Sequence, residues 1–241
     1  MSTERFARRR RSERLRLARR VVLALSATVA VGALVWVVWF SSWLAVSSVE
    51  VEGTSALDPA EVEAAAQVPQ GRPLARVDVT GVEERVRALP LVESVDVGRS
   101  WPRTITVEVV ERTAVAWIMA DGAIRGVDRF GAVFRDYPEP PPVTAVEVST
   151  DDPRRRQQAL ESLGSVLAEL RSADPGLVGQ IASASAESQD SVTFRLVDGR
   201  TVRWGSAEAG EDKLTVLTAL LASVQASEYD VSAPEQPTTR G

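Results

Sequence analysis

The side chains that carry chemistry are few in this chain. Its 241 residues include neither Cys nor His. That removes thiol and imidazole nucleophiles, Ser-His-Asp triads and nearly all zinc sites, and it leaves the chain without disulfides. Lys213 is the lone lysine. A Lys can act as general base to a Ser, but no Ser-x-x-Lys accompanies it, and a lysine on a helix surface accounts for it. Asp128, with Gly131 after it, could suggest a catalytic carboxylate; turn chemistry at a strand end explains the same pattern. Asp121, Asp151 and Asp198 lie close to Gly or Pro and read as turn formers, not metal ligands. Trp101, in Ser-Trp-Pro-Arg, reads as a turn-packing aromatic rather than a binding platform. No catalytic, cofactor-binding or metal-binding residue is assigned, no cofactor or small-molecule substrate is expected, and the chain reads as no enzyme.

One stretch suggests binding instead. Tyr229, Asp230, Val231, Ser232 and Ala233 form a short extended run near the end of the sequence. A strand there can lie at a sheet edge with unpaired N–H and C=O groups, open to a strand from another chain. An ordinary closing strand is the alternative.

The elements that position this run begin at a membrane. Residues 21–49 carry no charge, and about 20 apolar residues cross a ~30 Å hydrocarbon core as a helix. Trp36, Trp39, Phe40 and Trp43 crowd its C-terminal end, as aromatic rings do at the water interface. Residues 21–43 are therefore expected to span the membrane once. Residues 1–20 hold nine Arg against Glu4 and Glu13, a charge block expected to be a disordered cytoplasmic tail. Such a tail is a topology signal, with contact to anionic headgroups the other reading. The body then lies outside the cytoplasm, as a single-pass type II plasma membrane protein. The whole chain carries −5 and the tail +7, so residues 21–241 carry −12. An acidic body argues against nucleic acid as a partner.

Beyond the span, alternating Val49 and Val51 predict a strand. Asp58-Pro59-Ala60-Glu61 carries an N-cap Asp and an N1 Pro and starts a helix. Asp78 or Thr80 caps a second helix with Val82, Val86 and Leu89 on one face. Two alternating strands around Ser100-Trp101-Pro102-Arg103 read as a hairpin. The order strand-helix-helix-strand-strand over residues 46–116 makes a small α+β unit. Residues 117–233 read as a second, strand-rich α+β domain. Its strand at 143–148 carries apolar residues on both faces. Its helix from Asp152-Pro153 carries Leu160, Leu163, Leu167 and Leu170. A hairpin over 191–204 with the loop Val197-Asp198-Gly199 pairs Phe194 with Val202 and Val192 with Trp204, with Gly199 left-handed. A last helix over 207–224 shows Leu214, Leu217, Leu221 and Val224, and residues 234–241 form a polar tail.

Leu91 to Arg112, LVESVDVGRSWPRTITVEVVER, carries valine alternation, an Arg, a Trp-Pro turn, a second alternating strand and Glu-Arg, in that order. This resembles the POTRA domain of the FtsQ/DivIB family of bacterial cell division proteins. Val127-Asp128 with Gly131-Ala132-Val133-Phe134, Trp204-Gly205 with Lys213-Leu214, and Tyr229 to Pro234 resemble that family's second extracytoplasmic domain, the last in its actinobacterial form. The resemblance implies a divisome scaffold at the septum, with FtsB- and FtsL-type bitopic proteins and other septal cell-wall synthesis components as partners, and with residues 229–233 as the contact edge. A membrane-anchored cell-wall hydrolase or peptidase, and a POTRA-type chaperone, are the rival functions.

Overall fold

The computed structural model describes residues 3–241, with side chains from Arg19 onward. The chain divides into two compact units, Met1–Glu111 and Arg112–Gly241. The fold is α+β: one N-terminal transmembrane helix followed by two mixed domains.

In the first unit, helix α1 spans Thr3–Phe40. Its apolar part, Arg19–Phe40, is 22 residues long, about 33 Å at ~1.5 Å per residue. Val21, Leu25, Val29 and Leu34 are more than half exposed. A helix in a soluble core would have its apolar side chains covered by protein, whereas this surface is left for lipid to cover. The Arg-rich segment expected to be disordered is helical from Thr3. Arg is a good helix former, and adding residues to an existing helix avoids the cost of a new nucleus.

The rest of the unit contains β1 (Ser48–Glu52), α2 (Pro59–Ala66), α3 (Val79–Arg87), β2 (Val92–Ser100) and β3 (Thr104–Glu111). Asp58 caps α2 by accepting from the Ala60 N–H at 2.9 Å. Asp78, rather than Thr80, caps α3 through the Gly81 N–H at 3.1 Å. The sheet order is β1-β3-β2, with β1 parallel to β3 and β2 antiparallel to it. Alternation puts Val95, Val97, Ile105, Val107 and Val109 on one face, where they bury with Val62, Ala66, Val82 and Val86 of the helices.

The second unit is a nine-stranded sheet with helices. Its elements are β4 (Ala116–Ala120), β5 (Ala123–Val127), β6 (Val133–Tyr137), β7 (Thr144–Val148), α4 (Pro153–Ala173), α5 (Pro175–Val178), β8 (Ile181–Ala186), β9 (Val192–Leu196), β10 (Thr201–Gly205), α6 (Gly210–Ser223), β11 (Glu228–Asp230) and β12 (Thr238–Arg240). The order is β12-β11-β10-β9-β8-β7-β4-β5-β6. Leu160, Leu163, Leu167 and Leu170 of α4 bury in one core with Ile118, Val146, Ala184, Phe194, Val202 and Trp204. The opposite sheet face is open at Met119, which is 55% exposed, and at Glu147. Strand β7 therefore buries Thr144 and Val146 but exposes Glu147, which corrects the expectation of cover on both sides.

The hairpin keeps its expected loop but not its whole register. The Leu196 N–H donates to the Arg200 carbonyl at 2.8 Å, and Gly199 is left-handed at φ 90°. Phe194 pairs with Val202, but Val192 pairs with Gly205 across a bulge. The bulge still leaves Trp204 in the core, 5.7 Å from Phe194 between ring centroids. Residues 234–241 are not simply a polar tail, because Thr238–Arg240 returns as β12 antiparallel to β11.

Candidate functional site

The C-terminal sheet edge is built outward from β10. Strand β11 pairs with β10 in parallel, setting Tyr229 beside Val202. The Val231 N–H extends that pairing, donating to the Arg203 carbonyl at 3.0 Å. On its other side β11 pairs with β12, Tyr229 facing Thr239. The expectation that residues 229–233 are the edge is therefore corrected: the edge is Thr238–Arg240, one strand further out. Tyr229 and Val231 are fully buried, while Asp230 is half-buried and Ser232 and Ala233 are exposed.

Tyr229 is the pin of this corner. Its hydroxyl donates to the Val224 carbonyl at 2.8 Å and accepts from the Ala226 N–H and Arg200 Nη1, each at 3.2 Å. The Tyr229 hydroxyl, against desolvation, is the first cause that raises the Arg200 guanidinium; Asp198 adds to it through a 2.6 Å bond from Arg200 Nε. Asp230 folds its own carboxylate back on the chain, accepting from Ser232 N–H at 3.0 Å and Oγ at 2.6 Å. Thr238, Thr239 and Arg240 are exposed, and Arg240 lies 3.4 Å from Glu228. The result is a short strand with an accessible backbone, resting on a buried and hydrogen-bonded neighbour. The missed signal was Thr238-Thr239, two β-branched residues in a segment otherwise rich in Pro and polar residues.

Lys213 is not a surface residue. It is 2% exposed, and Nζ donates to the Ser206 carbonyl at 2.8 Å, with Ser206 Oγ at 3.4 Å. Burial lowers its pKa, against the carboxylates of Glu208, Glu169 and Asp190, which raise it. An ammonium donating to a carbonyl ties the strand-to-helix loop to α6; it does not aim a lone pair at the hydroxyl, as a general base must. The buried face of α6 is Gly210, Lys213 and Leu217, whereas Val224, expected on the stripe, lies beyond the helix and is 37% exposed.

Glu111 and Arg112 sit at the boundary, and each is fastened within its own unit. Glu111 accepts from the backbone N–H groups of Ser55 at 2.6 Å, Ala56 at 3.0 Å and Leu57 at 2.9 Å, and from Ser55 Oγ at 2.9 Å. Partial burial pushes its pKa up, but these four donors outweigh it and hold the carboxyl at about 2. Arg112 Nη1 pairs with Asp128 Oδ2. Asp128 is fully buried and accepts with Oδ1 from Phe130 and Ala132 N–H, each at 2.8 Å. It organises its turn, and the turn rests on α4 at Gly164, where a Cβ would strike the Asp128 carbonyl oxygen.

At the other end of the chain the aromatic residues gather where α1 ends. Trp36 and Phe40 stack at 6.5 Å, and Trp36, Phe40 and Trp43 are 62%, 62% and 82% exposed. Trp39 is 47% exposed. Trp101 is also exposed, at 53%, so the turn-packing reading of that residue is corrected: about half of its surface is left open in the turn between β2 and β3.

Comparison with known proteins places these features in one family. Residues 44–112 match the POTRA domain, FtsQ-type, and residues 115–233 match the C-terminal domain of cell division protein FtsQ/DivIB. The chain is 40% identical over 232 residues to the cell division protein FtsQ of Streptomyces bingchenggensis, covering 93% of this chain and 88% of the relative. It is 39% identical to that of Streptomyces venezuelae, covering 97% and 88%. It is 34% identical to that of Mycobacteroides abscessus, covering 91% and 69%.

Proposed function

Because the chain belongs to the FtsQ/DivIB family of cell division proteins, we propose that it is a non-enzymatic bitopic scaffold of the septal division machinery. Residues 1–20 lie in the cytoplasm and the body outside it. Nine Arg before the span and Glu50 and Glu52 after it support that orientation, since basic flanks stay inside. The body comprises a self-folding POTRA domain, residues 46–116, and a partner-binding domain from residue 117 onward.

Partners are small bitopic proteins of the FtsB and FtsL type, which link the chain to other septal cell-wall synthesis components. The observation that carries this reading is the accessible backbone of Thr238–Arg240 at the end of a nine-stranded sheet. A strand added there would gain main-chain hydrogen bonds without rearranging the core. Residues 229–233 serve this capture indirectly: buried Tyr229 and Val231 hold the edge in place, while Asp230, Ser232 and Ala233 border it.

The test is a photocrosslinking amino acid placed at Thr239 of the full chain in dividing cells, with exposed Glu211 on α6 as the comparison site. Thr239 should crosslink a small bitopic division protein and Glu211 should not. No adduct at Thr239, or equal adducts at both sites, would overturn the reading.

A further inference from the structure

The topology of the first unit forces one end of its sheet back toward the membrane. Strand β1 begins eight residues after α1 ends and runs away from the span. Because β3 is parallel to β1, with Thr104 opposite Ser48, β3 also begins at the membrane end. The antiparallel β2 must then finish there, and the turn joining β2 to β3 is directed at the bilayer. That turn carries Trp101.

Local bonds fix the arrangement. The Arg103 carbonyl accepts from the Ser47 N–H at 2.9 Å, and Arg103 Nε donates to the Ala45 carbonyl at 3.2 Å. The loop before α3 joins the same end. Its Arg72 carbonyl accepts from the Val46 N–H at 2.9 Å, Val46 in turn accepts from the Gly71 N–H at 2.9 Å, and Pro73 bridges to Ala45. Arg76 stands 5.6 Å from the centroid of the Phe40 ring, in the last turn of α1.

The side chains collected here differ from the rest of the body. Arg72, Arg76, Arg99 and Arg103 are all exposed. Arg99 and Arg103 donate to backbone carbonyls, and none of the four forms an ion pair with a carboxylate among the described residues. Four guanidinium groups without a carboxylate partner among the described residues, at one end of a body whose charge is otherwise acidic, make a polarised surface. Two exposed Trp residues, Trp43 and Trp101, share that end, and Trp has the apolar body and polar N–H that suit a headgroup layer. Arg carries a planar fork that matches phosphate oxygens.

We propose that this end of the first domain is a second membrane contact: Trp101 seats in the headgroup layer of the leaflet from which the chain emerges, and Arg72, Arg76 and Arg103 bind lipid phosphates. The span and this ledge together hold the domain against the bilayer instead of leaving it free to swing on residues 41–47.

The test uses the full chain in nanodiscs and exploits the native lack of Cys. A fluorophore on Ser100→Cys reports the turn. The same fluorophore on Ser94→Cys, exposed and six residues back along β2, reports a point about 20 Å away at ~3.3 Å per residue. Lipids carrying a headgroup-level quencher should quench the label at 100 several-fold more than the label at 94, and more in phosphatidylglycerol than in phosphatidylcholine. Trp101→Ser, and separately Arg72→Glu with Arg76→Glu, should release the quenching at 100 while leaving the circular dichroism spectrum and melting temperature unchanged. Equal quenching at both sites in the parent would overturn the proposal. So would unchanged quenching in both folded variants, because the turn would then be near the membrane through its tether alone.

Discussion

Glu111 offers a test in which sign, size and pH window all follow from one site. Its carboxylate gathers three consecutive backbone N–H groups and the Ser55 hydroxyl from the loop after β1. The folded pKa is lowered from 4.5 to about 2. A depressed carboxyl stabilises the fold fully above its unfolded pKa, and that stability is lost as pH falls from there through the folded value. A carboxyl held at about 2 rather than 4.5 corresponds to roughly 3 kcal/mol. Glu111 is only half-buried, and solvent screening reduces the contribution to about 1–2 kcal/mol. Glu111→Gln keeps one acceptor oxygen but sets an NH2 group against backbone N–H donors. In the fragment 46–116, urea unfolding followed by circular dichroism at pH 7 should therefore show a midpoint lower by about 1–2 M, taking a slope near 1 kcal/mol per M. The difference between parent and variant should shrink between pH 4.5 and 2, where the parent loses what the variant never had. Parallel pH profiles across that window, offset by a constant amount, would refute the reasoning.

Other perturbations probe separate parts of the structure. Val95→Asp or Val107→Asp should unfold the fragment 46–116, since an unpaired buried carboxylate costs several kcal/mol; a normal melting transition would contradict the core assignment. Gly164→Ala should lower the melting temperature of the body even though Ala is favoured in a helix by about 1 kcal/mol, because overpacking against the Asp128 carbonyl costs about 1–3 kcal/mol; a raised melting temperature would contradict that contact. A Cys at Ser94 should react with an impermeant thiol reagent on intact cells and a Cys at Ser12 should not; the reverse labelling would invert the orientation.

Much of the fold was legible because its signals are local. The span announces itself by 29 uncharged residues, and α2 by Asp58-Pro59. The hairpin loop at 197–199 followed from the requirement that Phe194 and Val202 share a face. What was not legible depends on partners distant in sequence. Lys213 lies one turn before Leu217, at the margin of the apolar stripe of α6, and its charge alone made it read as a surface residue, yet Ser206 and the Trp204 ring enclose it. The donors to Glu111 come from residues 54–56 positions earlier. The open edge shifted from 229–233 to 238–240 because a strand of three residues carries almost no periodicity. Its pairing appears only once β11 is in place.

The central claim is that the backbone of β12 captures a partner strand. Neighbouring residues of an antiparallel strand point their N–H groups to opposite sides, so one of Thr238 and Thr239 faces β11 and the other faces outward. Proline removes that N–H. Thr238→Pro and Thr239→Pro should therefore behave differently. The inward one should lower the melting temperature. The outward one should leave melting unchanged and abolish binding of the extracytoplasmic segment of an FtsB-type partner, measured by calorimetry on the soluble body. If both variants melt as the parent does and bind the segment at parental affinity, strand addition at this edge is wrong.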